Sequence, residues 1–220
     1  MTNLSTLFID LDGTLYANNN GMWEAIAARM NAYMLDVLQL PEERIPEMRQ
    51  AFFLKYGTTL RGLQTHYQVD PQDFLAYVHD IPVFEYLAPD QRLMRTLGEL
   101  DYPKWILTNS DRAHSQRVLA ALGVQDQFDG IIDITALDFR NKPEPEAFTA
   151  ALTLAGGPVP DECVFVDDIP KNLVPAKQLG MSTVLVGQDR NTPEIDVQIP
   201  DIYNLPAAIE QIELLSQSHV

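Results

Sequence analysis

Two aspartates two residues apart, Asp10 and Asp12, close the apolar run in Leu7-Phe8-Ile9-Asp10-Leu11-Asp12-Gly13-Thr14. Residues i and i+2 of an extended chain share a face, so both carboxylates can crowd one small space. Crowded carboxylates need a cation, or must hold a proton between them. A second acidic pair, Asp167-Asp168, follows the apolar run Val164-Phe165-Val166. Adjacent carboxylates with oxygen-only partners suit Mg²⁺, although either could instead cap a helix. Thr108 closes Trp105-Ile106-Leu107, and its hydroxyl with nearby backbone N–H groups could cradle a phosphate. The competing reading is helix capping by Asn109, Ser110 or Asp111. Lys142 stands in Asn141-Lys142-Pro143-Glu144-Pro145, where prolines stiffen the chain just before a helix. A held lysine can neutralise a phosphoryl oxygen; a lone loop lysine is ordinarily solvated.

The elements that must position these residues read as alternating strands and helices. Leu4–Ile9, Lys104–Leu107, Ile131–Ile134, Val164–Val166 and Thr183–Val186 are short apolar runs without strict alternation, as strands buried on both faces require. Amphipathic helices are expected at Ala113–Leu122, Pro145–Leu154 and Asn172–Leu179, each followed by glycine. This order predicts an α/β fold with a doubly wound parallel sheet, whose ligands bind beyond the carboxyl ends of the strands. Between the first two strands the chain has almost no strand signal. Met22, Trp23, Ile26, Met30, Tyr33, Met34, Val37 and Leu38 recur at helical spacing, and Pro41, Pro46, Gly57 and Pro71 punctuate further helical pieces. We therefore expect a core of residues 1–15 and 88–220 with an all-helical insert over 16–87. The Met and aromatic stripe is expected to be core of that insert. Gln188–Pro200 reads as a loop and Leu205–Leu215 as a closing helix.

The 220 residues carry 15 Lys and Arg against 31 Asp and Glu, a formal charge of −16. That argues against a nucleic-acid or membrane-surface partner, which needs basic patches. It also repels an anionic substrate, so a divalent cation and a few local cations would have to reverse the field at the site. The single cysteine, Cys163, permits no intrachain disulfide and fits a reducing cytoplasmic setting. It is expected to be a buried, inert thiol. No secretory leader and no apolar stretch of membrane-spanning length is expected. The four histidines, His66, His79, His114 and His219, have no zinc spacing. Asp126, Asp129, Asp133 and Asp138 read as a solvated face and turns, not as a calcium loop.

Taken together, the four acidic, hydroxyl and lysine segments resemble the four motifs of the haloacid dehalogenase superfamily. They run in order as Asp10-Leu11-Asp12-Gly13-Thr14, Thr108-Asn109, Lys142-Pro143 and Asp167-Asp168, over Leu4 to about Val186. The inserted helices are similar to that family's helical cap. Within the superfamily, dehalogenases lack an acid at the position of Asp12 and phosphatases have one, because an alkoxide leaving group needs a proton and a halide does not. The resemblance implies a Mg²⁺-dependent phosphomonoesterase. Asp10 would form an aspartyl-phosphate, and Asp12 would act as acid and then base. Mg²⁺ would lie on Asp10, the Asp12 carbonyl and Asp168, with Asp167 behind it or in exchanged roles. Thr108, the Asn109 N–H and Lys142 would bind phosphoryl oxygens.

Two pieces of the insert, Asn20-Gly21-Met22-Trp23 and Tyr56-Gly57-Thr58-Thr59-Leu60-Arg61-Gly62-Leu63, with His79-Asp80, look like the pyrimidine 5′-nucleotidase branch. Arg61 could then reach the ligand, with Thr58 and Thr59 bonding a sugar or base. The alternatives are capping by Thr58 and an Arg61 paired to a surface acid. Tyr16, Trp23 or Phe53 could stack on a base or pack in the core, and His66 and His79 could touch the substrate. Rival functions are a phosphatase for phosphoglycolate or a sugar phosphate, a non-catalytic binding protein of the same fold, and a dehalogenase.

Overall fold

Six short apolar runs form one parallel sheet in the computed structural model, which describes residues 4–187 and 192–217. The strands are β1 (Thr6–Ile9), β2 (Lys104–Leu107), β3 (Gly130–Ile132), β4 (Cys163–Asp167), β5 (Ser182–Val186) and β6 (Val197–Ile199), in the order β3-β2-β1-β4-β5-β6. All five expected strands are present with ends shifted by a few residues. The sixth corrects the expected loop over Gln188–Pro200, whose first four residues lie outside the described ones. At three residues, β6 is too short to show a period, and it exists because β5 offers a partner in the register Val184↔Val197 and Val186↔Ile199.

Ten helices are described, and the four that come after β2 in sequence match the expected ones. These are α7 (Arg112–Leu122), α8 (Pro145–Leu154), α9 (Pro170–Gln178) and α10 (Leu205–Gln217), with α6 (Gln91–Gly98) preceding β2. Successive β1 side chains point to opposite faces. Leu7 and Ile9 join a core with Leu93 and Leu97 of α6, Val118 and Leu119 of α7, and Ile209 and Ile212 of α10. Phe8 joins a second core with Phe148 of α8 and Leu173 of α9, where Phe148 meets Phe165 edge-on at 5.1 Å. Both faces of the sheet are covered, which is why the strands read as continuous apolar runs. Cys163 is buried here, and burial pushes its thiol up to about 12.

The segment between β1 and α6 is built of helices. It comprises α1 (Met22–Ala32) with a wider turn over Tyr33–Val37, α2 (Ile45–Tyr56), α3 (Thr59–Tyr67), α4 (Pro71–Val78) and α5 (Val83–Tyr86). Gly57 ends α2 in the left-handed region, and Thr58 starts α3 by accepting the Arg61 N–H at 3.0 Å. Tyr33, Met34, Leu60, Leu63, Phe74 and Val78 form a third core. The expected stripe divides, however: Met22 and Ile26 belong to the core beneath the sheet, and Trp23 and Val37 stay 43% and 49% exposed. No helix among the described residues is long and apolar enough to cross a membrane.

Candidate active site

The strand order reverses at β1, whose neighbours are β2 and β4, so a crevice opens beyond the carboxyl ends of these three strands. Asp10 and Asp12 follow β1, Thr108 follows β2, Asp167 ends β4, and Lys142 comes from the connection between β3 and α8. The turn after β1 requires glycine. Gly13 has φ +95°, and a Cβ there would lie 2.6 Å from an Asp168 carboxylate oxygen.

Lys142 lies at the centre, almost without solvent exposure. Its ammonium donates to Asp10 Oδ1 at 2.6 Å, to Asp167 Oδ2 at 2.8 Å and to the Leu107 carbonyl at 2.8 Å. Burial opposes this charge, but the two carboxylates outweigh it and raise the lysine above its ordinary value. Asn109 fixes the lysine backbone: its Oδ1 accepts the Lys142 N–H at 2.8 Å and its Nδ2 donates to the Lys142 carbonyl at 3.0 Å. The Thr108 hydroxyl accepts the Ser110 N–H at 3.0 Å.

Asp167 is fully buried, and both its oxygens are occupied. Oδ1 accepts from the Ile169 N–H and Asn172, and Oδ2 from Lys142 and Asn172. Asp168 is nearer the solvent, and Thr14 donates to it and to Asp10, at 3.3 Å each. Oxygens of Asp10, Asp167 and Asp168 lie within 4.8 Å of one another. Burial, offset by Lys142 but reinforced by the other two acids, raises Asp10 well above the usual carboxylate range. Burial and Asp167 push Asp168 up to about 6. A crowded all-oxygen donor set in which Asp10 and Asp168 resist ionisation fits a hard divalent cation. With Asp167 saturated by hydrogen bonds, Asp10 and Asp168 are the carboxylates best able to hold it.

Asp12 differs from this cluster. Tyr16 donates to its Oδ1 at 2.5 Å, Ser110 to its Oδ2 at 2.6 Å, and His114 Nε2 stands 2.9 Å from Oδ1. A carboxylate only accepts, so the facing ring nitrogen carries the proton. Burial works against the charge on Asp12, but His114 and the three hydrogen bonds hold its carboxyl below the usual range. The His114 ring stacks on His79 with centroids 4.3 Å apart, and His79 Nδ1 meets Asp111 at 2.5 Å.

A cavity of about 480 Å³ runs from Asp10, Asp12, Thr108, Asn109 and Lys142 into the inserted helices. Trp23 and Phe53, each 43% exposed, line it, as do Thr58, Thr59 and His79. Arg61 is not among the lining residues; its guanidinium pairs with Glu144 at 3.1 Å. Thr58 is the helix cap of the alternative reading. Tyr16 is held by Asp12 and does not line the cavity. His66 stacks on Phe52 and bonds the Tyr56 hydroxyl at 2.8 Å, while His219 lies outside the described residues. Asp133 is buried rather than solvated, since Arg112 and Thr135 satisfy it. The environment of Asp12 escapes sequence reasoning. Ser110 and His114 are 98 and 102 positions away from it, and only topology brings them together.

Residues 4–180 match the haloacid dehalogenase-like hydrolase family. Phosphate metabolism protein 8 of Saccharomyces cerevisiae is 28% identical over 194 residues, covering 81% of this chain and 60% of that protein. The chain thus spans under two thirds of the curated relative's length. Among solved structures, a HAD phosphatase from Thermococcus onnurineus superposes with TM-score 0.64 at 21% identity, over 94% of this chain and 98% of the other. L-2-haloacid dehalogenase from Xanthobacter autotrophicus gives 0.61 at 18% identity, over 94% and 98%. The fold alone is therefore shared by both chemistries.

Proposed function

Because the chain belongs to the haloacid dehalogenase-like hydrolase family, we propose that it is a Mg²⁺-dependent phosphomonoesterase whose substrate is a pyrimidine nucleoside 5′-monophosphate. The observation that carries the reading is Asp12. It shares one cavity with Asp10, and its carboxylate is gripped by Tyr16, Ser110 and His114. Halide departure gives such a proton carrier nothing to do; departure of an alkoxide requires one.

Asp10 attacks phosphorus along the line away from the leaving oxygen and becomes an aspartyl-phosphate. Thr108, the Asn109 N–H and Lys142 hold the phosphoryl oxygens, and Asn109 keeps Lys142 in place through its peptide. Asp12 is ionised at rest, so its proton arrives with the substrate or from the donors around it. It passes that proton to the leaving oxygen, then takes one from the water that hydrolyses the intermediate. Asp10 and Asp168, with the Asp12 carbonyl, would hold Mg²⁺, and Asp167 would orient Lys142. When bound, the ion supplies charge that screens the nucleophile from the phosphate dianion. Residues 16–87 form the cover that shapes the substrate end of the cavity. Its half-exposed Trp23 and Phe53 rings suit a flat base.

The test is phosphate release from UMP, CMP, AMP, phosphoglycolate, a sugar phosphate and an aryl phosphate, each with Mg²⁺ and with EDTA. Pyrimidine preference abolished by EDTA is the expected result. Mg²⁺-dependent release from the other esters alone discards the nucleotide assignment and keeps the chemistry. No release from any ester favours a binding protein on this fold.

A further inference from the structure

Only two residues lining the cavity carry a fixed positive charge, Lys142 and Arg49. Asp10 and Asp167 compensate Lys142. Arg49 has no carboxylate within ion-pair distance among the described residues, in a chain with 31 acids. One arm of its guanidinium, Nη1, is pinned by neutral acceptors on α1, the Ala27 carbonyl at 3.2 Å and Asn31 Oδ1 at 2.8 Å. Its Nε is buried without an acceptor. A guanidinium held in place, partly desolvated and left without an anion is costly for stability alone. Such a cost is what a preorganised ligand contact carries.

The surroundings define what it would take. On α2, Pro46, Arg49, Gln50 and Phe53 line the cavity at helical spacing, so Phe53 lies one turn from Arg49. On α1, Trp23, Ile26 and Met30 form the facing stripe, beside the carbonyl and amide that hold Arg49. Gln64 of α3 adds an amide. Two exposed rings, two amides and one guanidinium match a flat heterocycle bearing carbonyl oxygens and ring N–H groups. A second phosphate would call for several cations or a row of backbone N–H groups.

Resting on the nucleotide reading above, we propose that Arg49 is the specificity-determining residue of this site: it donates to the ring carbonyl of a pyrimidine lying beside Trp23 and Phe53, and so selects uracil and cytosine over adenine, which has no carbonyl.

The experiment compares kcat/KM for UMP, CMP, AMP and ribose 5-phosphate in the wild type, Arg49→Met and Asn31→Asp, with circular dichroism and melting to establish that each variant is folded. Wild-type preference for UMP and CMP over AMP and ribose 5-phosphate tests the nucleotide reading itself, and its absence overturns both. Given that preference, Arg49→Met is expected to lower the UMP to ribose 5-phosphate ratio roughly 10- to 100-fold, as loss of a charge-assisted hydrogen bond does. Asn31→Asp keeps the guanidinium but gives it a carboxylate, and the same ratio is expected to fall several-fold. A ratio unchanged in Arg49→Met, or equal losses on UMP and ribose 5-phosphate, overturns the role of Arg49 while leaving the nucleotidase standing. A loss larger for AMP than for UMP overturns it too.

Discussion

His114 Nε2 stands 2.9 Å from Asp12 Oδ1, and His114 is wholly buried. The histidine can only be a donor here, so it stabilises the ionised carboxylate and sets how readily Asp12 gains a proton. His114→Ala is expected to raise the Asp12 pKa, move the acidic limb of the kcat–pH profile upward and lower kcat about tenfold. Mg²⁺ half-saturation should stay the same. His114→Gln can keep a donor near that position and should restore part of the rate. A profile unmoved by both variants removes His114 from the proton path.

Asp10→Asn removes the proposed nucleophile and one of the two carboxylates that balance the Lys142 charge. Turnover is expected to fall by several orders of magnitude, with no acid-stable phosphoenzyme after a rapid quench with labelled substrate. Labelled protein from this variant would move the nucleophile elsewhere.

Asp168 is pushed up to about 6, above the roughly 3.9 of an unfolded aspartate. Between those values the folded chain holds a proton that the unfolded chain has released. Without metal, the stability linked to this group is therefore greatest at low pH and is lost as pH rises through about 6. Asp10 is shifted in the same direction, whereas the lowered Asp12 acts only below about 4. In EDTA the wild-type urea midpoint should fall relative to that of Asp168→Asn between pH 5 and pH 7.5. That comparison cancels the opposite contribution of His79, whose burial holds it below its ordinary value. Mg²⁺ should recover more stability at pH 7.5 than at pH 5.

Gly57, at φ +84°, closes α2 against the lysine loop. A Cβ there would lie 2.7 Å from the Lys142 carbonyl and 2.6 Å from Pro143 Cδ. Gly57→Ala therefore combines a strained backbone with a clash on the Lys142 carbonyl and the Pro143 ring. It should cost about 1–3 kcal/mol in urea unfolding. It should also lower kcat/KM on every ester, since the loop it displaces carries Lys142.

Arg61 gives the opposite expectation. Its half-exposed pair with Glu144 is worth about 1 kcal/mol or less. Arg61→Ala should change KM by less than about twofold; a tenfold rise would return Arg61 to the substrate.

The parts of the site carried by single short segments are legible in the sequence. Asp10, Asp12, Asp167 and Asp168 each follow an apolar run, and a strand tip in a doubly wound sheet has a known destination. Lys142 is legible through the prolines around it, though the Asn109 clamp on its peptide is not. Contacts made only when distant segments meet stay hidden: Ser110 and His114 on Asp12, and Asn31 on Arg49. Arg61 shows the converse. A guanidinium between two glycines looks available in sequence, and Glu144, 83 positions on, takes it. Strand β6 is illegible for a different reason, since its three residues form a strand only because β5 offers them an edge.

Helix α1 contributes Met22 and Ile26 to the core beneath the sheet, and the wider turn that follows it places Tyr33 and Met34 in the core of the insert. The insert is thus not a detachable module. Exchanging the whole of 16–87 for a foreign sequence would strip Met22, Ile26, Ile81, Val83 and Leu87 from the interior beneath the sheet. A chimera that keeps α1 through Ile26 and the return from Ile81 to Leu87, and replaces only what lies between, leaves that interior whole. Recombination toward new substrates has its seams after Ile26, inside a helix and well past the start at 16 expected from sequence, and ahead of Ile81.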